Sequence, residues 1–252
     1  MRRVNKIIAK IFFTVLAVIL IFVSIFFLIQ KRIKELDRNR IALIDVVENN
    51  YIFRGNNIFV KKNGEMVFAY DELTSYFNNI LTKNGRKSLT DYYLIDVSLL
   101  DLDHYDAIKG EEQFFSTHPN YGEVINISTL SPSLLIGQFS DSNIITSSIT
   151  KGYKLWITDT VKKIHDMALN QIDKPIVVYI HCNAGRDRTG LIAASYKLLF
   201  NNIKLSEVRS QNITEAGRNS VDLYDQAIGS YCLYIKQLYN KPADYCIDTR
   251  LH

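Results

Sequence analysis

The segment that most constrains the fold is Ile176-Val177-Val178-Tyr179-Ile180, opened by Pro175 and free of polar residues. A strand with one wet face alternates apolar and polar side chains. A run without alternation belongs at the centre of a sheet, covered on both faces by helices. A second apolar segment near 190–200 reads as a helix, so strand, loop and helix form one unit. Further strand candidates fall at Tyr92–Val97 and Val124–Ser128. Between these two lies a polar loop, and helical periodicity falls before them at Leu73, Tyr76, Phe77, Ile80 and Leu81 and after them at Tyr153, Ile157, Val161, Ile164 and Ala168 and over about 205–216 and 221–238. Strands alternating with helices predict an α/β fold, a central and mainly parallel sheet flanked by helices. Asn63-Gly64 between Ile58-Phe59-Val60 and Met66-Val67-Phe68 predicts a hairpin, because both central turn residues need positive φ. Asp71 is the expected cap of the first helix, and Asn84-Gly85 its end.

Charge is distributed unevenly. Nine of the 30 Lys/Arg and two of the 26 Asp/Glu lie in residues 1–40, and beyond them acids outnumber bases by three. A slightly acidic body lacks the basic footprint of a nucleic-acid binder, and 47% hydrophobic residues exclude a disordered chain. The N-terminal cations flank an apolar run, uncharged from Ile11 to Ile29 and extended upstream by Ile7 and Ile8. At about 1.5 Å per residue this crosses a hydrocarbon core of about 30 Å. No small-residue cleavage site follows it, so the expectation is an uncleaved, single-pass signal anchor over 1–35, spanning at about 7–29. Four Lys/Arg before the span and five shortly after it leave open the side on which the rest of the chain lies. Residues 36–50 read as a linker helix, 51–240 as one domain and 241–252 as a tail. Cys232 falls beside the apolar face of the last helix and Cys246 in the tail; their pairing stays open, depending on the redox compartment. Asp101, Asp103, His104 and Asp106 read as solvated loop groups, since no second His lies at metal-ligand spacing.

The chemistry concentrates in His181-Cys182-Asn183-Ala184-Gly185-Arg186-Asp187-Arg188-Thr189-Gly190, between the apolar strand and the apolar helix. A turn into a helix N-terminus aims several N–H groups inward and cradles an anion such as phosphate. The same field favours a thiolate, so Cys182 is the candidate nucleophile. Arg188 can grip two phosphate oxygens in a fork, and Gly185 and Gly190 permit tight turns and close approach.

This stretch resembles the signature of the protein tyrosine phosphatase superfamily: His-Cys, five residues, then Arg-Ser/Thr-Gly. Tyr51-Ile52-Phe53-Arg54-Gly55 is similar to the aromatic-Arg-Gly/Ser opening of bacterial and dual-specificity-like members. The resemblance implies a phosphatase over 51–239 that forms a phosphocysteine on Cys182 and needs no metal or organic cofactor. It implies that Arg188 and the loop Asn183 to Arg188 bind the phosphoryl group, that Thr189 supports the departing thiolate, and that His181 and Gly190 support the loop. The general acid has two candidates. Asp141 lies near the usual spacing of a movable-loop acid. Asp187 lies inside the loop, in a Gly-x-Asp-Arg-Thr arrangement that resembles myotubularin-type lipid phosphatases and a class of bacterial secreted phosphatases; its alternative role is to orient Arg188. The implied substrate is a phosphotyrosine or dual-specificity phosphoprotein, with a phosphoinositide as the alternative favoured by Arg186 and a nearby membrane. A catalytically silent, membrane-tethered phosphate-binding module is the remaining reading.

Overall fold

The computed structural model describes residues 14–15, 35–127 and 148–247. Its main sheet has five strands in the order β1 (Ala42–Val47), β2 (Asn50–Asn56), β7 (Ile176–Cys182), β5 (Tyr93–Ser98) and β6 (Gly122–Asn126). β1 runs antiparallel to β2, and the other four strands are parallel. The hairpin β3 (Phe59–Lys62) and β4 (Glu65–Phe68) stands apart, turning at Asn63 and Gly64 with φ of 53° and 94° as their side chains predict.

The helices are α1 (Tyr70–Lys83), α2 (Tyr105–Thr117), α3 (Ser148–Leu169), α4 (Asp187–Leu199), α5 (Leu205–Ala216) and α6 (Asp222–Leu238). The unbroken apolar run does become the central strand, and every residue of β7 is buried. Its side chains still alternate. Val178 and Ile180 join the core formed with α3, α4 and α6, whereas Val177 and Tyr179 join the core formed with α1 and α2. In register, Asn56 pairs with Cys182 and Ser98 with His181, so β2, β7 and β5 end together on one rim of the sheet.

Several expectations need correction. Residues 36–50 form no helix: a short 3-10 turn at Arg38–Arg40 leads into β1 and then β2. Ile44, Val46 and Val47 are β-branched and suit a pleated edge strand, and the Glu48-Asn49 turn returns the chain. The packed core therefore includes Leu36, which is buried, and is not confined to the residues from Tyr51 onward. It also extends past 240. Cys232 and Cys246 form a disulfide, and Tyr245 is buried with its hydroxyl donating to the Leu198 carbonyl. Asp71 lies inside the first turn of α1, where it favours the helix dipole without capping; Ala69 is the cap. The span expected at 7–29 lies outside the described residues apart from the helical pair Thr14 and Val15, and Asp141 lies outside them too. Among the described residues no helix is long and apolar enough to cross a membrane.

Candidate active site

The loop from Cys182 to Arg188 is shaped by the strand beside it. Gly185 has φ of 63°, and a Cβ there would stand 2.5 Å from the Gly55 carbonyl oxygen. Gly55 is required in turn, because its own Cβ would overlap the Tyr179 hydroxyl at 1.9 Å. That hydroxyl donates to the Asn56 carbonyl at 2.8 Å, and the Asn57 N–H donates to the Asn183 carbonyl at 3.3 Å. Arg54, wholly buried, donates from Nη2 to the Gly185 carbonyl at 2.8 Å and from Nη1 to Asn212 and Glu215 at 2.6 and 2.8 Å. Two carbonyls of the loop are thus occupied from β2 and the residue after it. The N–H groups of Arg186 and Thr189 serve Cys182. Gly190 admits the Asn212 side chain, which a Cβ would meet at 2.8 Å.

Cys182 is buried at the mouth of this cradle. Burial by itself would raise its pKa. The Thr189 hydroxyl, the Arg188 charge and the two backbone N–H groups outweigh that penalty and bring the thiol below its ordinary value. The shift favours the nucleophilic thiolate form. His181, one residue earlier, points to the opposite face, where Asp96 and Glu111 surround it.

Arg188 donates from Nη1 to the Leu99 carbonyl at 2.8 Å and pairs with Asp101 Oδ2 at 3.0 Å. Asp101 Oδ1 lies 3.1 Å from Nδ1 of His104. Burial raises the Asp101 carboxyl, but His104 and Arg188 pull it the other way and the net pKa is below the usual value. The acid/His cluster of the sequence is therefore no simple solvated loop: Asp101 belongs to the site. Its signal was positional, an acid three residues beyond a strand that ends on the active rim. Asp187 begins α4 but turns from Arg188. It accepts from Arg218 Nη2 at 2.7 Å and from the Val221 N–H at 3.4 Å, so orienting Arg188 falls to Asp101. Tyr224, on α6, lies within reach of the charges of Arg188, Asp187, Cys182 and Asp101; burial is the main reason its pKa rises to about 12. Asn183, Ala184 and Arg186 line a pocket with Asn56, Arg40 and Asp37.

A tyrosine phosphatase family model matches residues 81–203. The match takes in the complete His-Cys to Arg-Thr-Gly loop and supports a cysteine-based phosphatase, a hydrolase by class, of the tyrosine phosphatase superfamily. The core catalytic domain of the PP-IP phosphatase SIW14 from S. cerevisiae, in complex with citrate, is similar at 15% identity and a TM-score of 0.38, over 80% of this chain and 93% of that one. A second structure of the Siw14 catalytic core gives 15% and 0.36, over 80% and 92%. No curated protein matches the chain.

Proposed function

We propose that the chain hydrolyses phosphate monoesters in two displacements at phosphorus. Cys182 Sγ attacks, the P–O bond to the leaving group breaks, and the leaving oxygen takes a proton. Water then displaces Sγ from the phosphocysteine, and the Thr189 hydroxyl stabilises the departing thiolate. The loop N–H groups and Arg188 bind the equatorial oxygens, whose charge is spread in the transition state. The single observation behind this reading is the surroundings of the buried Cys182, where the Thr189 hydroxyl, two backbone N–H groups and the Arg188 charge together hold the thiol below its ordinary pKa. Proton delivery is assigned to Asp187, next in sequence to Arg188, once it parts from Arg218; Asp141 is the competing donor.

Phosphotyrosine or dual-specificity phosphoprotein is the substrate class that superfamily membership suggests. One observation favours a phosphoinositide instead. Arg186 has no ion-pair or hydrogen-bond partner among the described residues, and it lines the pocket beside the cradle together with Arg40. A second phosphate on the substrate would meet those guanidinium groups. The N-terminal run 7–29 is proposed as a single-pass anchor. The Cys232–Cys246 disulfide favours an oxidising side for the domain.

The test is a side-by-side assay on phosphotyrosine peptides, phosphoinositides and an aryl phosphate. Cys182→Ser is expected to abolish turnover on all of them and to retain phosphate binding. Turnover surviving in Cys182→Ser would overturn the phosphocysteine route, and a wild-type chain that binds phosphate without turnover would support the silent module.

A further inference from the structure

Behind the cradle, on the face of the sheet covered by α2, three ionisable side chains are wholly buried together: Asp96 on β5, His181 on β7 and Glu111 on α2. His181 Nε2 lies 2.9 Å from Asp96 Oδ1 and 3.6 Å from Glu111 Oε1. Ser98 adds a buried hydroxyl toward Glu111. None of the side-chain polar atoms of these four residues has a hydrogen-bond partner outside the group. α2 approaches closely here, since a Cβ at Gly110 would overlap the Phe59 ring at 2.2 Å. Three groups sealed from water must settle their charge among themselves.

With both carboxylates ionised and the imidazole protonated, the cluster would carry a net buried negative charge. One added proton makes it neutral, leaving a carboxylate–imidazolium pair beside a carboxylic acid. Glu111 is the group that takes the proton, because Asp96 is closer to the imidazole. Burial, then the charge of Asp96, raises the Glu111 carboxyl against the opposing pull of His181 and Ser98. Burial would lower His181, but Asp96 and Glu111 reverse this and raise it.

We propose that Glu111 is a positioning residue for the nucleophile: its proton keeps the buried cluster neutral, so that Asp96 holds His181 as an imidazolium one residue before Cys182. The proposal rests on Cys182 being the nucleophile. Loss of the Glu111 proton places a net negative charge behind the cradle, disfavours the Cys182 thiolate and lowers the rate on the alkaline side. The groups facing Glu111 are Asp96 and Ser98 from β5 and His181 from β7, with Cys182 and the stacked Tyr179 next to His181. Glu112 is its neighbour on α2, and β3 contributes only the Phe59 ring.

The test compares the full chain with Glu111→Gln, which keeps the neutral shape but cannot lose a proton. Two readouts are followed against pH: kcat/KM on an aryl phosphate, and the alkylation rate of Cys182 by iodoacetate, which needs no substrate. Glu111→Gln is expected to move the alkaline limb upward by about one pH unit or more in both. Ser98→Ala, which removes a partner of the Glu111 carboxylate, should move it in the same direction and serves if the glutamine variant does not fold. Glu112→Gln should leave the limb where it is. An unmoved limb in Glu111→Gln or Ser98→Ala overturns the proposal while the phosphatase reading stands. Absent turnover with normal alkylation behaviour would overturn that reading instead. A tightly bound divalent ion, found by elemental analysis and lost in Glu111→Gln, would also overturn the proposal by making the cluster a ligand set.

Discussion

Arg188 is held by Asp101 at 3.0 Å, an acid 87 residues earlier in the chain and on the neighbouring strand's exit loop. The pair fixes one edge of the guanidinium before any phosphate arrives. Its other nitrogens are left to form the fork, and the Leu99 carbonyl shares the anchoring Nη1.

Asp101→Asn keeps the size of the side chain but removes its charge. The variant should lose about tenfold in kcat/KM, by the same factor on aryl and alkyl phosphates, since orientation of Arg188 matters whatever departs. Steady-state kinetics on the two substrates check this. Arg188→Lys should lose far more, because an ammonium cannot make the fork.

Asp187 should behave differently. Departure of an alkoxide needs a proton in the transition state, whereas an activated phenolate needs little help. Asp187→Asn is therefore expected to slow an alkyl phosphate at least about tenfold more than an activated aryl phosphate. A ratio near one for Asp187→Asn and well above one for Asp141→Asn would give the role to Asp141.

Truncation should show a sharp boundary. A chain beginning at residue 35 keeps the fold and its activity on a small aryl phosphate. One beginning at residue 51 loses β1 and the buried Leu36, Ile41, Ile44 and Val47. At about 2 kcal/mol for each buried aliphatic side chain, that loss rivals the whole stability of a domain, typically about 5–15 kcal/mol. Circular dichroism and thermal melts of the two chains decide it.

The buried cluster also makes stability depend on pH. Glu111 is raised from 4.5 to about 8 and His181 from 6.5 to about 9. Over these windows the folded chain keeps protons that the unfolded chain releases, so stability falls as pH rises. Cys182, shifted down, acts in the opposite sense, and melts are best made in Cys182→Ser. There Tm should fall by roughly 10 °C between pH 6.5 and 9, and Glu111→Gln should flatten much of that fall.

The central strand, the loop after it and the helix that follows were readable because their residue types are local and rare in combination. β1 was misread because Ile44 and Val47, three apart, satisfy a helical period as well as an edge strand. Asp101 was read as a solvated loop group for another reason: its partner lies 87 residues away, and only the parallel pairing of β5 with β7 brings their ends together. Glu111 fell in a segment read as a polar loop between two strands, where the structure has α2. Nothing local in α2 announces that the sheet behind it presents a histidine and an aspartate.

Arg54 has a consequence for how the protein comes apart. The anion site hangs from β2 through the Gly185 carbonyl, and the same guanidinium is tied to α5 through Asn212 and Glu215. The loop therefore has no cheap local opening: to unwind it, the chain must give up a wholly buried cation and part of its central strand pairing. Its amide protons belong with the slowest-exchanging set of the molecule, unusual for a catalytic loop. An oxyanion bound there would act on the cooperative unfolding of the entire domain, so inorganic phosphate is expected to raise the melting temperature of the whole chain.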